Sequence, residues 1–282
     1  MQALGDLVAA ELAETAVEVG FLEMNKPTAA EAVDALIDRG CRRVVVLPLV
    51  LLGAGHAKSD SPAVVLEARD RYPGVRFDFG APLGVAREAV ELLRKSVVAA
   101  GGAGLPLLLL ARGSSDPDAN SDAYKAARLV GEWAGSPFVT VGFRGITGPS
   151  VGEAAETMVR LGPSKVALAW WFLCHGRLVD RGRREVADAL GPAGVELVDA
   201  GYIGPDPSLL PLVVRRYRAA LGGDSGTARP GEAGFDREAG PDGGVNCDMC
   251  AYRAPWPGRE DRVGQPIGVG HSHLAAAHRH SH

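Results

Sequence analysis

One succession of residue types occurs twice in this chain, and that duplication limits the folds open to it more than any other feature. Val19-Gly20-Phe21 recurs as Val141-Gly142-Phe143. The same spacing carries Pro27-Thr28 onto Pro149-Ser150, Glu31-Ala32 onto Glu153-Ala154, Gly40 onto Gly162, and Arg43-Val44 onto Lys165-Val166. Within each copy, short apolar runs alternate with amphipathic stretches of helical period. The first half is expected to run helix 3–14, strand 16–22, helix 28–39, strand 43–52, helix 59–71, strand 75–79 and helix 85–99. Thr28 followed by Glu31 forms a capping box at the start of the second helix. The second half runs strand 107–111, helix 119–134, strand 138–143, helix 151–161, strand 165–174, helix 178–190, strand 195–200 and helix 208–221. Strands alternating with helices predict an α/β protein of two tandem similar lobes, each a small parallel sheet covered on both faces. The lobes are expected over 1–100 and 105–221, a flexible linker over 222–244, and a C-terminal tail over 245–282.

The repeat also exposes a gap. Mapped back by the same spacing, strand 107–111 and the turn holding Arg112 fall before Met1. In a parallel sheet that strand is expected to be central. Its loss would leave neighbouring strand edges unpaired and cost more than the ~5–15 kcal/mol by which domains are typically stable. A start downstream of the natural one is therefore expected, in preference to a functional deletion.

Several function classes fall away on composition. A net charge of −4 and a pI near 6.0 disfavour a general nucleic-acid binder. The most apolar stretch, 44–55, is far shorter than the ~20 residues of a spanning helix and contains Pro48, so no membrane association is expected. The N-terminus has no basic region of a secretory signal. Four cysteines, Cys41, Cys174, Cys247 and Cys250, are too few for a disulfide scaffold in 282 residues, so a reducing cytoplasm is expected.

Chemistry concentrates at a few positions. His56 sits in Gly53-Ala54-Gly55-His56-Ala57-Lys58-Ser59-Asp60, just past a buried strand, and no other histidine precedes His175. Ligands of parallel α/β sheets bind at the carboxyl ends of strands, and an imidazole there can hold a transition metal or move a proton. A surface histidine with one local hydrogen bond is the plain alternative. Glu23 ends the preceding strand and is expected at the same sheet edge, a carboxylate suited to metal capture and proton removal, or else a helix cap. Arg112, Arg144, Arg177 and Arg181 lie at strand ends or loops of the second half, as ligands for an acidic substrate or as solvated charge. Gly113-Ser114-Ser115 before a helix could hold an anion on backbone N–H groups, a weak signature. In the tail, Cys247-x-x-Cys250 supplies two ligands where zinc or an iron–sulfur cluster needs four. Two tails in a homodimer could complete the set. His271, His273, His278, His280 and His282 read as native divalent-metal buffering, since tag histidines run consecutively.

VGFLEMNKPT followed by VVVLPLVLLGAGHAKSD resembles the class II tetrapyrrole chelatases, in particular the long-form sirohydrochlorin cobaltochelatases. RGSSDPDANSDAYKAARL, GFRGITGPSV, the VNCDMCAYR tail and the histidine-rich end are similar to the same long forms. The resemblance implies two α/β lobes with a cleft between them and insertion of Co²⁺ into sirohydrochlorin without ATP, on the way to cobalamin. It implies a metal site of a histidine after the first strand, a glutamate after the second and a histidine after the third. Glu23 and His56 match the second and third, as catalytic and metal-binding residues. The first would belong to the missing turn, whose place in the second half Arg112 holds. Substrate carboxylates are then expected on Arg112, Ser114, Ser115 and Arg144. The tail is associated in the family with an iron–sulfur cluster, here at Cys247 and Cys250 and shared between chains. The expected partners are sirohydrochlorin and Co²⁺, with hand-off from the upstream tetrapyrrole enzyme left open. Iron insertion for sirohaem, or cobalt and nickel storage without catalysis, are the competing readings. A phosphate-binding enzyme using Gly113-Ser114-Ser115 lacks a supporting lysine or acidic pair.

Overall fold

The computed structural model describes residues 1–222. Its elements run α1 (Gln2–Glu11), α2 (Ala29–Asp38), β1 (Arg43–Val46), a π-helical turn (His56–Asp60), α3 (Ser61–Arg71), β2 (Arg76–Phe79), α4 (Arg87–Ala99), β3 (Leu107–Ala111), α5 (Pro117–Ala134), β4 (Val139–Phe143), α6 (Val151–Leu161), β5 (Lys165–Trp170), α7 (Arg177–Leu190), β6 (Glu196–Tyr202) and α8 (Leu210–Gly222). The expected linker and tail lie, from residue 223 on, outside the described residues.

The chain forms two compact units, Val85–Asp206 and Met1–Gly84 joined by the chain from Pro207. These differ from lobes cut at the repeat boundary. Helix α4 packs on α5, β5 and β6, and α8 packs on α1, β1 and β2.

The second unit is built on a parallel sheet of order β4-β3-β5-β6. Strand β3 is Leu-Leu-Leu-Leu-Ala and is buried at every position, as expected of a central strand covered on both faces. Leu108, Leu110, Val166, Leu168 and Trp170 pack against α6 and α7 through Val151, Ala154, Met158, Val179 and Val186. Among the described residues the first unit has a parallel pair only, β1 with β2, and a smaller core of Val33, Val44, Val65, Ala68 and Phe77.

The duplication is visible in detail. Thr28 and Ser150 each accept a hydrogen bond from the backbone N–H three residues on, while Glu31 and Glu153 reach back to the cap's own N–H at 2.6 and 2.7 Å. Both carboxyls are held below their usual range, Glu31 chiefly by its bond to Lys26 and Glu153 by the Ser150 backbone. Phe21 bridges Thr28 as Phe143 bridges Ser150. The bonds before Pro27 and Pro149 are both cis.

One expectation is corrected. Residues 16–22 form no strand and share a single bridge with the chain at Thr28. Their counterpart β4 is a strand because β3 lies beside it. A strand needs a hydrogen-bonded neighbour, and no strand pairs with residues 16–22 among the described residues. The apolar run 43–52 likewise pairs only over β1, and from Leu47 it leaves the ladder.

Candidate functional site

The residue with most chemistry to offer is His56, first in the π-helical turn that leads into α3. Ser61 donates its hydroxyl proton to the His56 carbonyl at 2.6 Å, so the α3 N-terminus fixes the histidine backbone. Its Nδ1 lies 2.6 Å from Asp60 Oδ2, and the two side chains are 41% and 49% exposed. A carboxylate on one ring nitrogen sets tautomer and ring direction and makes the imidazole a better ligand, the arrangement metal-bound histidines commonly have.

Glu23 is exposed and belongs to the same unit. It does not end a strand, as the sequence pattern suggests, but lies in the tight loop between the bridged residues Phe21 and Thr28. Its neighbour Met24 has a φ of 65° and is 97% exposed, and Ile146 stands at the equivalent place with a φ of 69° and 71% exposure. Left-handed backbone costs a non-glycine residue about 1–2 kcal/mol, and a β-branched side chain is especially rare there. Both copies of the loop carry this strain beside large exposed apolar side chains. Met24→Gly is expected to raise stability by about 0.5–1 kcal/mol after glycine's larger unfolded-state entropy is subtracted, an increase in Tm of about 1–4 °C. Thermal unfolding checks it. A lower Tm would mean that contacts of the methionine side chain outweigh the strain.

In the second unit the structure separates the predicted substrate residues by exposure. Arg112 and Ser115 are exposed at the carboxyl end of β3. Ser114 is buried, and its groups serve the turn. Its N–H donates to Asn120 Oδ1 at 2.9 Å, its carbonyl accepts from Asn120 Nδ2, and its hydroxyl accepts from the Asp116 N–H. Asp116 in turn caps α5 by accepting from the Asp118 N–H. An anion at this helix start would therefore meet a carboxylate, and the Ser114 N–H is already used. Arg144 has a side chain only 8% exposed and pairs with Glu185 at 2.6 Å. The sequence reading missed that pair, because Glu185 lies on a different helix from the Arg144 loop. It also missed the exposed pair of His175 Nε2 with Asp180 Oδ1, 2.8 Å apart, in the loop corresponding to that of His56.

Among the described residues no three His, Cys, Asp or Glu side chains are gathered so as to share a metal ion. Cys247, Cys250, His271, His273, His278, His280 and His282 lie outside the described residues. No described helix is long and apolar enough to cross a membrane.

Comparison with known proteins places these features in context. The CbiX family profile matches residues 1–100 and 106–220. A sirohydrochlorin cobaltochelatase of Priestia megaterium is 34% identical over 244 residues, 84% of this chain and 74% of the relative. A sirohydrochlorin ferrochelatase of Bacillus subtilis is 29% identical over 225 residues, 79% of this chain and 83% of the relative. The solved structure of SirB from Bacillus subtilis with Fe³⁺ superimposes with a TM-score of 0.68 at 27% identity, covering 80% of this chain and 91% of that one.

Proposed function

Because the chain belongs to the CbiX family, we propose that it inserts a divalent metal ion into sirohydrochlorin, with Co²⁺ its preferred ion and no ATP consumed. The observation that carries this reading is the His56–Asp60 pair at the end of the β1 loop, in a chain that matches the family over both repeats. The 34% identical cobaltochelatase supports cobalt. The ferrochelatase relative supports iron as the second reading.

In this reading His56 presents Nε2 to the incoming ion while Asp60 holds the ring. Imidazole with carboxylate is a donor set that suits Co²⁺ and also Fe²⁺, Ni²⁺ and Zn²⁺, so the ligands alone do not choose. Two pyrrole N–H protons must leave as the ion enters. Glu23, exposed in the loop after Phe21, is the base for at least one of them. Arg112 and Ser115 bind the substrate's peripheral carboxylates, and Ser114 and Arg144 hold the loops that carry them, since their own polar groups face inward. The tail histidines and cysteines gather metal for delivery. The reaction takes place in the cytoplasm.

Anaerobic incubation of sirohydrochlorin with Co²⁺, Fe²⁺ and Ni²⁺, singly and in competition, followed by absorbance, tests this. Insertion is expected with Co²⁺ fastest. Faster iron insertion would make the chain a ferrochelatase. No insertion of any ion by folded protein would remove the assignment and favour metal storage.

A further inference from the structure

The loop from Phe21 to Thr28 is built around an uncommon turn. The Asn25 N–H donates to the Glu23 carbonyl, two residues back, at 2.8 Å, and Met24 between them has a φ of 65°. This is the positive-φ γ-turn, the rarer and more strained of the two kinds. The second unit repeats it. There the Thr147 N–H donates to the Gly145 carbonyl at 2.8 Å around Ile146, whose φ is 69°. The residues about the two turns differ. Leu22, Glu23, Asn25 and Lys26 stand where the other copy has Arg144, Gly145, Thr147 and Gly148. What both copies keep is a large apolar residue at the apex, 97% exposed at Met24 and 71% exposed at Ile146.

Folding alone gives no reason for that choice. Glycine takes this backbone without strain, and asparagine takes it far more readily than methionine or isoleucine. A side chain as exposed as that of Met24 gains almost no burial within its own unit, so packing does not offset the strain. Strain of this kind persists at ligand clamps and active sites. The place in the fold agrees. In the second unit the loop follows the carboxyl end of β4, the end at which parallel α/β sheets bind ligands, and the repeat gives the first loop the same place. In the first unit the apex adjoins Glu23, and Leu22 on the other side of that carboxylate is also exposed. A carboxylate flanked by two exposed apolar side chains suits a flat molecule that is apolar over its face and carries N–H protons at its centre.

On the insertion reaction proposed above, we infer that Met24 is a specificity-determining contact for the face of the tetrapyrrole ring, packing against the macrocycle beside Glu23. Methionine fits this task, because its unbranched chain adapts to a flat surface and its sulfur makes favourable contacts with π systems. The γ-turn holds the side chain outward before the substrate arrives, so less ordering remains to be done on binding.

The test is anaerobic titration of the full chain with sirohydrochlorin, no metal added, followed by fluorescence. Met24→Asn keeps a residue that accepts left-handed backbone but removes the apolar contact, and its Kd is expected to rise at least about tenfold. Met24→Leu, apolar and of similar size, is expected to stay within about threefold of the parent. Met24→Gly is expected to bind as weakly as Met24→Asn although its Tm rises, opposite signs that a merely structural role would not give. Equal affinity of Met24→Asn and the parent, or equal losses in Met24→Leu and Met24→Asn, would overturn the inference while leaving the insertion reaction standing. A parent chain that self-associates through Met24, shown by sedimentation of parent and Met24→Asn with tetrapyrrole affinity unchanged between them, would assign the side chain to a second copy and overturn it too. A folded parent that binds no sirohydrochlorin would overturn both.

Discussion

His56→Ala is expected to lower metal insertion by at least about 10²-fold while leaving the protein folded. The loss follows from removing the one imidazole that, among the described residues, the first unit places beyond β1 with a carboxylate behind it. The fold survives because the anchor of this turn is the His56 carbonyl, which accepts from Ser61 and remains in any variant. Asp60→Asn separates a ligand from a bystander. It keeps the shape but withdraws the charge that orients the ring, and second partners of this kind are worth about 10–100-fold in metal affinity or activity. Metal titration by calorimetry and insertion by absorbance should therefore fall together in Asp60→Asn. Unchanged insertion in His56→Ala, with an unchanged thermal transition, would remove His56 from the reaction.

Gly113→Ala should be the most damaging of the small substitutions in the second unit. The residue has a φ of +85°, and an added Cβ would stand 2.1 Å from the Gly145 carbonyl oxygen and 3.2 Å from Phe143 Cβ. The clash is with backbone, so no side-chain rotation relieves it. Left-handed strain and overpacking together are expected to cost about 2–5 kcal/mol. The same change distorts the turn that carries Arg112 and Ser115. Gly145→Ala is the matched control, because nothing lies within 4 Å of a Cβ there. It should stay within about 0.5 kcal/mol of the parent. Denaturant unfolding of the two variants decides it. Equal stability would show that the loop yields without cost.

Much of the architecture could be read from residue patterns because the repeat ties distant segments to one template. The capping boxes at Thr28 and Ser150 begin helices where the spacing places them. The unbroken leucines of β3 mark a strand buried on both faces. What the pattern could not show is pairing. Residues 16–22 have strand composition, yet composition does not supply the neighbour that a ladder requires. The π-helical start of α3 was also hidden, since apolar periodicity does not distinguish helix types over one turn. At the site, the loop position of His56 was legible, but its contact with Asp60 depends on that turn. Ser114 looked like an anion ligand because its type suits the task. Only the fold shows its N–H and hydroxyl already committed to Asn120 and Asp116.

The placement of α8 has a consequence for how the molecule comes into being. The segment Val85–Asp206 is continuous, so a ribosome delivers all of that unit before α8 is translated. The other unit is assembled from both sides of it, because α8 rests on α1, β1 and β2. The residues around His56 emerge early and must wait for α8, made last among the described elements, before their unit is whole. A nascent chain arrested after Asp206 would hold one finished body and one unfinished, and the unfinished one is the one that carries His56 and Glu23.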